Sequence, residues 1–277
     1  MIMCAKMWQE IQSVNFWRAV LAEFVGMAMF LFVGLGATST FESQGDNDPV
    51  RIALCFGLAI ATIVHCTAHI SGGHVNPAVT IAFFVMHRIT PLRTMMYIAA
   101  QILGSAVGTA LFKVVSPSSV NSRLGPTALH ESINPVQGLL IEIFLTFQLV
   151  WTVFATVDSG RQDLKGSGPL AIGLAVILGH LSGIRYTGAS MNPARSFGSA
   201  AIGGTWDDHW IYWVGPIIGG IVAAVMYDWI LDPKAKWDRV KKCGTFEYDQ
   251  AEGGEENRET VLEVLPGNSV NNKDDGN

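Results

Sequence analysis

The sequence predicts an all-α membrane protein: six transmembrane helices plus two re-entrant half-helices, in an inverted 3+3 repeat. Three observations carry this. The 277 residues are 49% hydrophobic and only 15% charged, with mean hydropathy +0.33, whereas a soluble domain carries roughly 25% charged residues. Six apolar runs stand out. And the stretch His69–Thr80 (HISGGHVNPAVT) is echoed by Tyr186–Ser196 (YTGASMNPARS).

The runs cover about Trp17–Ala37, Val50–Ala68, Met95–Val115, Val136–Val157, Pro169–Gly183 and Trp210–Leu231. All but the fifth approach the ~20 apolar residues that cross a bilayer. The fifth is short and contains His180. A soluble protein with buried helices is the alternative, but such proteins rarely contain six runs of this kind. The first run is long and lacks a clear small-residue cleavage site, so it is not a signal peptide.

Asn76 and Asn192 lie 116 positions apart, and the same offset aligns Phe56-Gly-Leu-Ala with Ile172-Gly-Leu-Ala. Each Asn precedes Pro-Ala. Proline at the first helical position lacks only an N–H that would be orphaned anyway, so both asparagines sit where N-caps belong. Helices are expected over Pro77–His87 (11 residues) and Pro193–Ile202 (10 residues). At ~1.5 Å per residue each is about half the ~30 Å hydrocarbon core.

Lys and Arg set the orientation. One side carries Lys6, Arg18, Arg88, Arg93, Arg161, Lys165 and the cluster Lys234, Lys236, Arg239, Lys241 and Lys242. The other carries Arg51, Lys113, Arg123, Arg185 and Arg195. The richer side is expected to be cytoplasmic, with both termini there and the plasma membrane as the location. Three spans per half force the second half to enter from the opposite face. The two Asn-Pro-Ala segments then meet from opposite sides, and inverted repeats place their site at the repeat interface near the midplane. Irregular backbone at that depth is tolerated only inside protein or beside water, so Ile70–Val75 and Thr187–Met191 should border a pore.

This divides the chain into a cytoplasmic N-terminal tail (1–14), a channel domain (15–231; repeat one about 15–115, repeat two about 134–231) and a C-terminal tail (232–277). The tail begins basic, suited to anionic lipid, and turns acidic and polar, disordered after about 247. Gly104, Ser105 and Gly108 in the third span, and Gly215, Gly219 and Gly220 in the sixth, suit close helix packing in lipid. Cys4, Cys55, Cys66 and Cys243 form no CxxC pair, so neither a disulfide frame nor a metal site is expected. The net charge of −5 is no nucleic-acid signature. No Ser/His/Asp or Cys/His arrangement and no phosphate loop is present, so no enzyme and no cofactor are expected.

With both motifs in view, the sequence resembles an aquaporin of the major intrinsic protein family, in its water-selective branch, over roughly residues 15–231. Ala22-Glu23-Phe24 and Trp213-Val-Gly-Pro216 support the likeness. It implies a passive water channel within each protomer of a homotetramer, packed fourfold through the small-residue spans. Asn76 and Asn192 mark the pore centre, where their amide donors and two helix N-termini, each worth roughly half a positive charge, hold water and repel cations. Phe56, His180, Ala189 and Arg195 form the selectivity filter. Gly72, Gly73, His74 and Val75, with Gly188, Ala189, Ser190 and Met191, offer a ladder of carbonyl acceptors, opposite an apolar wall of Phe24, Ile60, Leu149 and Val176. His180, and Ser196 where glycerol-conducting relatives have Asp, point to exclusion of glycerol. Ala189 stands where many water channels have Cys.

Glu23 and Glu142 occupy equivalent points of the two repeats. They either brace the loops by accepting their N–H groups or couple protons in an ion-driven transporter. Two further rivals remain open: a channel that also passes glycerol, urea or hydrogen peroxide, and a junctional membrane protein with weak conduction.

Overall fold

A computed structural model describes residues 2–39, 48–117, 124–158, 160–161, 166 and 168–231. Arg123, Lys165, Cys243 and the whole tail from 232 lie outside the described residues. Within them every regular element is a helix: α1 (Ile2–Gln12), α2 (Val14–Thr38), α3 (Pro49–Ser71), α4 (Pro77–Val85), α5 (Pro91–Val115), α6 (Pro135–Thr156), α7 (Gly168–Thr187), α8 (Pro193–Gly203) and α9 (Ile211–Val225), which continues as a π-helical turn, Met226–Leu231.

Six of these, α2, α3, α5, α6, α7 and α9 with its π turn, are long and apolar enough to cross a membrane. They place the two termini of the bundle on one face, here called the terminal face. Leu21, Val25 and Met29 on α2, Leu103 and Leu111 on α5, and Leu174 and Leu178 on α7 are exposed, an apolar outer surface that suits lipid and not water. The chain is an integral, multi-pass membrane protein.

Local chemistry sets the helix starts. Proline opens α3, α4, α5, α6 and α8, and the preceding Asp48, Asn76, Thr90, Asn134 or Asn192 accepts a backbone N–H as N-cap. Some boundaries differ from expectation. The N-terminal stretch carries helix α1 where a tail was expected. α4 stops at Val85, because His87 adopts a left-handed φ of 55°. α8 runs one residue further, to Gly203, and is capped by left-handed Gly204. α7 does not end at Gly183 but runs 20 residues to Thr187. Gly183 is there for packing: a Cβ on it would meet Leu145 Cδ1 at 2.3 Å.

The closest helix pairs are α2 with α5, α6 with α9, and α3 with α7. The first two are mirror images in the two repeats; the third joins the repeats. Glycines set all three. A Cβ on Gly108 would lie 2.2 Å from the Ala28 carbonyl oxygen, one on Gly219 2.2 Å from that of Ile143, and one on Gly57 2.5 Å from that of Gly173. This is the close helix packing expected of these residues. The small residues of α5 and α9 lie at helix contacts within the chain: Gly104 and Gly108 face α2, Gly215 and Gly219 face α6, and Gly220 faces the Ala78 carbonyl of α4.

The terminal face is tied by ion pairs. Arg88, just past α4, meets Asp228 of the π turn at 2.7 Å and lies over the Phe154 ring at 4.7 Å. Glu10 of α1 accepts from Thr90 Oγ1 at 2.6 Å and from Arg93 Nε at 3.4 Å.

Gly108→Val should force α2 and α5 apart. Overpacking of this kind costs about 1–3 kcal/mol, and backbone contact at 2.2 Å leaves no rotamer to relieve it. The expected result is a sharp fall in monodisperse detergent-solubilised protein relative to Gly36→Ala, whose Cβ meets only Phe112 at 3.8 Å.

Candidate functional site: a pore between two half-helices

The two loops that precede α4 and α8 share one backbone design. Gly72, Gly73 and Val75 have φ of 90°, 62° and 46°; Gly188, Ala189 and Met191, each 116 residues further on, have 78°, 48° and 52°. Glycine accepts this region freely, but Val75, Ala189 and Met191 do not. A β-branched residue there is an outlier, and each strained residue costs on the order of 1–3 kcal/mol.

Two buried carboxylates hold these loops. Glu23 Oε1 accepts from Ser71 Oγ at 2.7 Å and His74 N at 2.9 Å; its Oε2 accepts from Val75 N at 2.6 Å and Gln101 Nε2 at 2.8 Å. Glu142 Oε1 accepts from Thr187 Oγ1 at 2.7 Å and Ser190 N at 2.9 Å; its Oε2 accepts from Met191 N at 2.9 Å. Both glutamates are fully buried. A tyrosine completes each brace: Tyr97 OH donates to the Ser71 carbonyl at 2.9 Å and Tyr212 OH to that of Thr187 at 3.0 Å. Just outside the spans, His209 packs against Trp206 and Tyr212 with ring centroids 4.7 and 6.2 Å away. Burial lowers its pKa, favouring the neutral form.

Asn76 Oδ1 accepts from Ala78 N at 2.9 Å, and Asn192 Oδ1 from Ala194 N at 3.1 Å and Arg195 N at 3.3 Å. Both are therefore N-caps, as expected. Their amide nitrogens do something further. Asn76 Nδ2 donates to the Met191 carbonyl and Asn192 Nδ2 to the Val75 carbonyl, each at 2.8 Å. The two loops thus lock together across the repeat interface, with one N–H of each amide. The second N–H of Asn192 has only Met27 Sδ, at 4.0 Å.

A cavity of about 170 Å³ runs past both asparagines. At the terminal face it is lined by Thr156, Val157, Gly168 and Pro169; further in come Ile60, Leu149 and Val176 on the apolar side, and Gly72, Gly73, His74, Ser190 and Met191 from the loops; it ends at His180. Val75, Gly188, Ala189 and Phe24 are not among its lining residues. Of the expected acceptor ladder, Val75 and Met191 already spend part of their carbonyl capacity on the asparagines.

At that end, His180 stacks on Phe56 with ring centroids 4.8 Å apart, and the Arg195 guanidinium lies 5.1 Å from the Phe56 ring centroid. His180 Nδ1 is 2.9 Å from the Val176 carbonyl. A neutral imidazole donating there leaves Nε2 as an acceptor, and Nε2 is buried with no protein partner. Arg195 Nη1 donates to the Gly125 carbonyl at 2.7 Å and approaches Ser199 Oγ at 3.3 Å, while Nε has no protein partner. The structure thus brings Phe56, His180 and Arg195 together. Ala189 is fully buried in the adjoining loop.

The family model described as major intrinsic protein matches residues 10–227. The chain belongs to the major intrinsic protein family. Aquaporin-4 of Homo sapiens is 48% identical over 254 residues, 89% of this chain and 79% of that protein. Aquaporin-1 of Canis lupus familiaris is 45% identical over 267 residues, 93% and 98%. The X-ray structure of the aquaglyceroporin from Plasmodium falciparum aligns with TM-score 0.72 and 26% identity over 78% of this chain and 97% of that one.

Within this major intrinsic protein, several site residues escaped sequence reasoning. Ser71 and Thr187 share the 116-residue offset and a hydroxyl, a signal that was present. Gln101, Gly125 and Thr127 left none, because nothing in repeat two matches the first and the others lie between the repeats.

Glu142→Gln should orphan at least one loop donor, since an amide offers one acceptor oxygen and turns its NH2 toward an N–H. A buried donor left unsatisfied costs about 1–3 kcal/mol. A lower thermal unfolding midpoint in detergent is expected; an unchanged midpoint would show that the loop is held by other means.

Proposed function

We propose that this chain is a passive, water-selective channel, conducting a single file down an osmotic gradient and excluding protons, ions and glycerol. The observation that carries it is the crossed pair of asparagines at the meeting point of two half-helix N-termini, inside a cavity with one polar and one apolar side. Each N-terminus is worth roughly +0.5 charge, so a cation meets a barrier there. Waters on either side turn their oxygens toward the centre and so point in opposite senses, which breaks a proton relay. Pore diameter, lining groups, an Arg and half-helix dipoles are general means of such selectivity.

The filter supports the water reading. Phe56 and His180 close the aperture, His180 Nε2 offers an acceptor and Arg195 Nε a donor, and an Arg at membrane depth is costly enough to imply function. The aquaporin-4 and aquaporin-1 likeness supports it too. We place Glu23 and Glu142 as loop braces, not proton couplers, because every one of their oxygens already accepts from a loop N–H. The terminal face is assigned to the cytoplasm on the Lys and Arg balance, and the plasma membrane and a homotetramer are assigned on the resemblance.

Stopped-flow shrinkage of proteoliposomes tests this. Rapid water efflux with a low activation energy under a sucrose jump, and no glycerol entry above bare lipid, is expected; efflux at the lipid rate would overturn the channel assignment. His180→Ala should admit glycerol severalfold faster than the unaltered protein, with water flux kept. Arg195→Val should raise urea and proton leak, and an unchanged leak would remove Arg195 from the filter.

A further inference from the structure

We propose that Thr127 is a positioning residue of the selectivity filter, holding the second Asn-Pro-Ala loop and Arg195 through a one-way chain of hydroxyl groups. This rests on the channel reading above.

Thr127 lies in the segment between the repeats and is buried. Its Oγ1 is 2.7 Å from Ser196 Oγ; Ser196 Oγ contacts Ser190 Oγ; and Ser190 Oγ donates to the Asn192 carbonyl at 2.9 Å. Each hydroxyl has one proton to give. Ser190 spends its proton on Asn192, so Ser196 must donate to Ser190. Ser196 is then left without a proton for Thr127, and Thr127 must donate to Ser196. The direction is fixed along the whole chain of hydroxyls, and among the described residues Thr127 is the donor that comes from outside the loop and α8. Ser196 directly follows Arg195.

The same segment grips the filter at two further points. Arg195 donates to the carbonyl of Gly125, two residues before Thr127, at 2.7 Å. The Thr127 Cα lies 3.1 Å from where a Cβ on Gly188 would stand, so its backbone packs on the loop directly.

Repeat one contains the comparison. The residue equivalent to Ser196 is Thr80, and it too receives an outside donor: Gln101 Nε2, at 3.0 Å. Thr80 Oγ1 donates to the Asn76 carbonyl at 3.0 Å and lies 3.2 Å from His74 Nδ1, as Ser190 and Ser196 share the work in repeat two. Gln101 comes from α5. Tyr97 and Tyr212 set the correspondence of α5 with α9, and by it Gln101 falls on Pro216, which has no donor. Repeat two therefore takes its donor from the linker, and Thr127 fills the slot that Gln101 fills in repeat one.

The test compares urea and water permeability in proteoliposomes at equal protein content. Thr127→Val keeps the side-chain shape and removes the donor. The urea-to-water ratio should rise severalfold while water conduction persists, and Thr127→Ser should restore the original ratio. Combining Thr127→Val with Ser196→Ala should be no worse than either alone, because both cut one chain. A role confined to stability would lower the unfolding midpoint and leave the ratio untouched. An unchanged ratio in folded Thr127→Val protein overturns the proposal; should that variant fail to reach the membrane, an unchanged ratio in Ser196→Ala overturns it equally. Unaltered protein that conducts water no faster than lipid would overturn the channel reading instead, and this inference with it.

Discussion

Everything in this molecule depends on a carboxylate buried in a membrane helix accepting the N–H groups of an irregular loop. At membrane depth no water is available to satisfy unpaired backbone, so irregular chain survives only with protein partners. Glu23 and Glu142 are those partners. Their hydrogen bonds offset the strain of Val75, Ala189 and Met191 at positive φ. A buried carboxylate is itself expensive to desolvate, and the convergence of three or four donors on each one is what makes it tolerable. Loop and carboxylate are stable only together.

The surrounding helices serve that arrangement. Gly104 lets α5 close on α2 beside Phe24, one residue from Glu23, and Gly215 lets α9 close on α6 at Glu142 itself, where an added Cβ would lie 2.8 Å from the Glu142 Cβ. The close approach brings in Tyr97 and Tyr212, which hold the carbonyls at the ends of α3 and α7. Small residues here are the condition for bracing the loops, which is why they are turned toward the neighbouring helices.

The two repeats solve one problem with different parts. Repeat one has Val79 after its motif and a donor supplied from its own third span. Repeat two has Arg195, and both Arg195 and Ser196 are held by the linker. Phe56, His180 and Arg195 meet on that side. A symmetric scaffold sets the central pair of asparagines; an asymmetric strap holds Arg195 and Ser196 beside them.

The amino-acid sequence by itself determined the six spans, the inverted repeat, the half-helix starts at Pro77 and Pro193, and the two asparagine caps. These are local or periodic properties: apolar length, an Asn cap before Pro, a repeated offset. Only the tertiary structure decided which donors converge on Glu23 and Glu142, that Asn76 and Asn192 exchange hydrogen bonds with each other's loops, that α7 continues past Gly183, and that Gly125 and Thr127 meet Arg195 and Ser196. Those contacts join residues about 50 to 120 positions apart, and no local pattern encodes them. A glycine reads the same whether it ends a helix, as Gly204 does, or admits a neighbour, as Gly183 does. What distinguishes the two is the side chain or carbonyl across the interface, and that exists only once the helices have packed.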